Sequence, residues 1–329
     1  MEMPVPPIPL PAALGGEFTS AAARALGVTG SRLAAKDLEQ PFHGVRRVKK
    51  EESPSEDAPG AHDRALRERV LRDAHTYRLV MAHHAFFIGR TAVVIHGATA
   101  LGHGADLEVG VVDPRRAPRA RGVRGRKLLE PFARVTSAQS LPVLDAAAAW
   151  AALGSDCDVL DLIRLGDELV RIPRGERGRP EPARQITTIA QLREAISLGV
   201  RPGTGRLLTA IDHVRVGSMS VLETEYRIHS CAAGMPEPDL DVEIRNAAGA
   251  LLGIADAAYH QWRVLVEVEG DQHRVSREQW QRDIEKHAAF TAEGWEVLRL
   301  TGGHIRGRGR PGITRVAEAL ARRGWRRAG

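Results

Sequence analysis

Apolar and polar positions alternate most strictly over residues 263–269, where Val264, Val266 and Val268 interleave with Leu265, Glu267 and Glu269. Successive side chains of a strand point to opposite faces. The run therefore predicts a strand with its valines packed on one side and two carboxylates beside Leu265 on the other. A preceding strand is expected to carry Asp256, and a tight hairpin through His260 and Gln261 brings that acid alongside. Gly270 and Asp271 end the second strand, with His273 at its tip. A basic helix over 276–293 and a second apolar strand over 296–300 complete an ordered cassette.

Earlier in the chain the pattern is helical, with the longer period of about 3.6 residues. Thr19 or Ser20 caps an alanine-rich helix that Gly27 stops, a second short helix spans 31–36, and a turn and strand pair follow. Helix, turn, helix and wing is the order of a winged helix-turn-helix, whose second helix enters the major groove. Thr29, Ser31, Arg32 and Lys36 are then expected to face DNA, with Arg46 and Arg47 on the wing. The other reading is a small cap whose charges are merely solvated. Apolar spacing predicts further helices over 66–87 and 91–101, a strand over 107–112, and two helices within 141–170. Helices are also expected over 188–198, 204–213 and 221–233, the last bearing Glu223, and a C-terminal amphipathic helix over 313–323. The charged stretch 49–65 and the arginine-rich stretch 173–182 have no periodicity and read as linkers.

Composition changes this picture in two ways. The net charge of +6 rests almost wholly on arginine, with lysine only at positions 36, 49, 50, 127 and 286. Arginine suits bidentate phosphate contact and a positive field favours nucleic acid, although a GC-rich genome produces the same bias. Seven basic side chains crowd residues 115–127, a loop that either tracks phosphates or is a solvated hairpin. Two cysteines make neither a disulfide framework nor a zinc site. With no apolar run long enough for a bilayer and a proline-broken start, the expectation is a cytoplasmic protein without a membrane partner. Nothing in the sequence sets an oligomeric state.

Three carboxylates on one sheet repel one another unless a cation joins them, and oxygen ligands favour Mg2+ or Mn2+. The alternative is a hairpin whose outer face carries solvated acids. The words SVLETEYR, IADAAY, VLVEVEGDQHR and QRDIEKHAAFTAEGWEVLRLT, in that order, resemble the domain of unknown function 559. That family is similar to the very-short-patch-repair endonucleases and the wider PD-(D/E)XK nuclease fold. The resemblance implies Asp256 and Glu267 as metal acids, Glu269 and His273 nearby, and Glu223 on the first helix at the metal's water shell. It also implies Arg282 at the scissile phosphate and His273 as base or acid. Glu269 stands where the PD-(D/E)XK pattern has lysine. Either Lys286 on the following helix reaches back to replace it, or the site resembles the very-short-patch-repair type that works without it. The third reading is an inactive fold kept for binding. The words AAARALGVTGSRL and PFHGVRRV resemble the winged helix of AbiEi-family antitoxins, which the middle block also resembles loosely.

The expected fold class is α/β multidomain: a flexible lead (1–16), a winged helix-turn-helix (17–50), a linker (51–65) and a small α+β middle domain (66–172). A second linker (173–185) then precedes an α/β/α restriction-endonuclease-like mixed sheet (186–329). The expected function is a metal-dependent DNA endonuclease with a DNA-binding front module. The alternative is a non-catalytic DNA-binding regulator of antitoxin type, with a toxin gene product as second partner.

Overall fold

The computed structural model describes residues 8–49, 60–175, 178–270 and 277–327, the side chains of 277–280, 282 and 283 excepted. The chain is a mixed α/β protein folded as two compact units, one ending at Leu153 and the other beginning at Gly154. None of its described helices is long and apolar enough to cross a membrane.

The first unit opens with β1 (Glu17–Thr19), α1 (Ser20–Ala25), α2 (Gly30–Leu33), β2 (Leu38–Glu39) and β3 (Val45–Val48), the strands forming an antiparallel sheet in the order β1-β3-β2. Thr19 Oγ1 accepts from Ala22 N–H at 3.0 Å and Thr29 Oγ1 accepts from Arg32 N–H at 3.3 Å, so each helix starts on a hydroxyl cap. Phe18, Ala23, Leu33 and Leu38 form the small core beneath them. The second helix is a single turn, shorter than the expected 31–36.

After α3 (Ala61–Arg78), β4 (Phe86–Phe87) and α4 (Gly89–His96), the chain enters β5 (Leu107–Val112), β6 (Arg119–Ala120) and β7 (Val123–Leu128). β8 (Val135–Ala138), β9 (Leu141–Leu144) and α5 (Ala146–Ala152) complete the unit. Its larger sheet has the order β6-β7-β5-β4-β9-β8. Two expectations change here. The helix expected over 66–87 ends at Arg78 because Phe86 and Phe87 join the sheet beside β5, and residues 141–144 pair with β8 as a strand before α5 begins.

The second unit starts with α6 (Val159–Val170), α7 (Ile189–Ser197), α8 (Thr204–Ile211) and α9 (Val221–Ala232). Its sheet comprises β10 (Asp239–Arg245), β11 (Leu251–Tyr259), β12 (Val264–Glu269) and, after α10 (Arg277–Ala292), β13 (Glu296–Thr301). α11 (Gly302–Arg306) and α12 (Pro311–Arg322) close the chain. The strand order is β10-β11-β12-β13, antiparallel except for the parallel β12–β13 pair, which α10 connects as a crossover. Val264 and Val266 pack with Leu222 and Tyr226 of α9 on one face, and Leu265 packs with Phe290 of α10 on the other. The alternation in the sequence is thus the division between two cores.

The break between units does not fall in 173–185. α6 carries Asp167, fully buried against Arg227 of α9 at 2.9 Å, which ties residues 159–170 into the second unit. The stretch 173–185 is held there too. Arg174 Nε donates to both carboxylate oxygens of Asp241 at 2.7 and 2.9 Å, and its Nη2 donates to the Asp241 carbonyl at 2.9 Å.

Candidate active site

The β11–β12 hairpin turns through a short 3-10 segment, His260–Trp262, with Arg263 in the left-handed region (φ 50°). Its register sets Ala257 opposite Val266, and extending it by one pair sets Asp256 opposite Glu267. Asp256 occupies the fork where the two strands part: Val268 N–H donates to Asp256 Oδ2 at 2.7 Å. Burial raises the Asp256 carboxyl above the usual carboxylate range, and the charges of Asp241 and Glu269 push the same way. The Val268 hydrogen bond and the nearby Lys286 ammonium oppose that rise.

Glu267 is buried on the α10 side of the sheet, and Lys286 Nζ donates to its Oε2 at 2.7 Å. The lysine stem reaches it by lying across β11. An added Cβ at Gly253 would stand 2.7 Å from Lys286 Cγ and 3.0 Å from Phe290 Cζ, so glycine there is what allows α10 to approach. Lys286 and Phe290 are one helical turn apart and share that face. The helix thus carries an ammonium to Glu267. Glu269 is half-exposed and ion-paired with Arg299 of β13.

Glu223 comes from the opposite layer, on the first turn of α9. It is 7% exposed, and its Oε2 accepts from Met219 N–H at 2.7 Å. That contact alone describes a helix cap. The electrostatics add more: burial first, then the negative charge of Asp256, pushes the Glu223 carboxyl up to about 8. Two acids from different elements therefore compete for ionisation in one desolvated region. Asp241 adds to the repulsion, and it is itself paired with Arg174 at 2.7 Å.

Among the described residues no three His, Cys, Asp or Glu side chains converge closely enough to hold a metal ion by themselves. Carboxylate oxygens are the donor type that a hard divalent cation takes. Lys286 bonds Glu267, while the Asp256 and Glu223 carboxyls are raised first by burial and only then by neighbouring acids. A magnesium or manganese ion held by two carboxylates completes its shell with water. His273 lies outside the described residues, and Arg282 lies on α10 with its side chain outside them. Neither enters this geometry.

The front module treats its predicted residues differently. Arg32 forms a bidentate pair with Asp37 at 2.9 and 2.7 Å and donates to the Ile8 carbonyl. Arg46 donates to the Leu33 carbonyl at 2.8 Å. Arg47, with its side chain 12% exposed, meets Glu39 at 2.5 Å, Asp73 at 2.8 Å and Thr76 at 3.3 Å. These three arginines are tied into their own module by these contacts, and their expected contact with DNA stays a proposal. Thr29, Ser31 and Lys36 stay exposed.

Gly253 was not singled out by the sequence reading, though a lone glycine inside the strand pattern LLGIADAAY is the usual sign of close backbone approach. Arg174 and Asp241 gave no such sign, because nothing local links two residues that far apart in the chain. Compared with protein-family models and with curated proteins, the chain matches none.

Proposed function

We propose that the second unit is a metal-dependent DNA endonuclease site of the PD-(D/E)XK and very-short-patch-repair kind, delivered to DNA by the first unit. One observation carries the reading: Asp256 in the hairpin fork with Glu267 on the facing strand just past the last register pair, and the Lys286 ammonium bonded to Glu267 at 2.7 Å. Two acids and a lysine are the chemical elements that the resemblance to this nuclease fold asks for, with the lysine supplied from a helix instead of the strand. When bound by Asp256 and Glu267, Mg2+ or Mn2+ supplies charge neutralisation at the phosphate and a water of lowered pKa.

The side chains of the site have separate tasks in this reading. Asp256 is oriented by the Val268 amide, which occupies one of its two carboxylate oxygens. Lys286 restrains Glu267 and offsets its charge, so that an incoming phosphodiester does not meet an uncompensated carboxylate. Glu223, protonated below about pH 8, carries one proton that it gives up as a cation enters. His273 remains the residue type suited to proton transfer near neutrality, and Arg282 the type suited to the scissile phosphate.

A second reading keeps DNA as partner without cleavage: a regulator of AbiEi-antitoxin type, with a toxin gene product as further partner. The observation that favours it is Glu269, an acid at the motif's lysine position and bound to Arg299. Supercoiled plasmid separates the two. Nicking by the parent in Mg2+, absent in EDTA and absent in Glu267→Gln, supports the endonuclease. Tight DNA binding with no nicking in Mg2+ or Mn2+ supports the regulator.

A further inference from the structure

The exposed edge of the larger sheet in the first unit carries a charge arrangement that folding does not explain. β6 is the outer strand there, and its register on β7 sets Arg119 directly opposite Arg124. Like charges facing each other across a hairpin destabilise it. Both arginines are exposed, as are Arg115, Arg116 and Arg121 in the flanking loops. Residues 107–128 contain two carboxylates, and each already has a partner. Glu108 accepts from Arg90 N–H at 2.6 Å at the start of α4 and stands 3.8 Å from Arg124, while Asp113 pairs with Lys127 at 2.8 Å. Among the described residues Arg115, Arg116, Arg119 and Arg121 form no ion pair with a carboxylate.

One charge suffices to keep an edge strand from pairing with another chain. Five exposed arginines on one short hairpin and its loops exceed that need. The hairpin is also held firmly in place. Gly122 turns it at φ 78°, with the Phe42 ring 3.2 Å from where a Cβ would stand, and the Pro118 carbonyl lies 2.2 Å from the Cβ position of Gly125. At its other end Arg115 and Arg116 border a cleft of about 300 Å³ with Tyr77 and His84. A rigid, uncompensated row of guanidinium groups complements a polyanion.

We propose that this β6–β7 edge, and not α2, is the main contact of the first unit with the phosphodiester backbone of duplex DNA. The contact is independent of sequence and strongly dependent on salt. It shares with the endonuclease reading only the partner, and it stands whether or not the second unit cuts.

The test is fluorescence anisotropy of a labelled duplex with the full chain in EDTA, where no cleavage occurs, across a salt series. Arg116→Gln/Arg119→Gln/Arg121→Gln is expected to weaken binding at least tenfold for two unrelated sequences. It should also flatten the plot of log affinity against log salt by about 2.7, roughly 0.9 per lost phosphate contact. Arg119→Gln alone relieves the facing like charges. It should raise the melting temperature while flattening the slope by about 0.9, a pairing that a purely structural edge would not give. Ser31→Ala/Lys36→Ala should leave the slope nearly unchanged. An unchanged affinity and slope in the triple variant would overturn the proposal, as would tighter binding of a duplex RNA of the same length. Because the readout is binding in EDTA, a failed nicking assay leaves it untouched.

Discussion

Two regions of this molecule are rich in charge and use it in opposite ways. In the front module Arg32, Arg46 and Arg47 are each met by carboxylates or carbonyls of their own fold. In the β11–β12 hairpin Glu267 is buried with Lys286 bonded to it, and Asp256 and the α9 acid Glu223 titrate above their ordinary range. The first arrangement is complete without a ligand. The second places acids where burial opposes their ionisation, the state in which a charged group is costly. The comparison teaches that the density of charged residues does not identify a site; their burial and electrostatic setting say more.

The sharpest way to break the comparison is to neutralise one acid of the hairpin. Asp256→Asn keeps an oxygen for the Val268 amide, and should lower metal-dependent nicking by about 10³-fold, the loss of several kcal/mol of transition-state stabilisation. Thermal melting should show the fold retained. Lys286→Met should lower nicking about 100-fold by leaving Glu267 unbalanced, with partial recovery in Lys286→Arg, measured in the same assay. On the other side of the comparison, Arg47→Ala should cost about 2–3 kcal/mol of stability, since Asp73 and Glu39 lose their shared partner. Denaturant unfolding checks this, and the nicking rate per folded molecule should not change.

Glu223 sharpens the comparison through pH. Its folded value, about 8, lies above its unfolded value, 4.5. Its contribution to stability is therefore full below pH 4.5 and is lost as the pH rises through about 8. Glu223→Gln should flatten the stability profile between those limits, and a divalent cation should do the same for the parent by favouring the carboxylate. The smallest expected effect is from Ser31→Ala/Lys36→Ala, which should change duplex affinity less than about threefold, one exposed charge being worth roughly that.

The cassette of the second unit was legible in the sequence because its signals are local. Strict alternation in VLVEVE placed the valines and glutamates on opposite faces, and the hairpin turn at His260 and Gln261 followed from the pattern around it. The position of Lys286 was half-legible: the helix was expected, but its approach to Glu267 depends on Gly253 of another strand. What the sequence could not display were partners distant in the chain. Asp73 decides that Arg47 is internal, and Asp241 decides that 173–185 belongs to the second unit instead of separating two domains. The basic loop over 115–127 was open between phosphate tracking and solvation, and only the register of Arg119 against Arg124 tips it.

The central proposal is that the hairpin acids Asp256 and Glu267 take up a divalent cation. Calorimetric titration of Mn2+ or Mg2+ into the full chain at neutral pH, in two buffers of different ionisation enthalpy, tests it most directly. The account predicts saturable uptake with release of a proton to the buffer, lost in Asp256→Asn and in Glu267→Gln. No metal-dependent heat in the parent, or unchanged uptake in both variants, would contradict it.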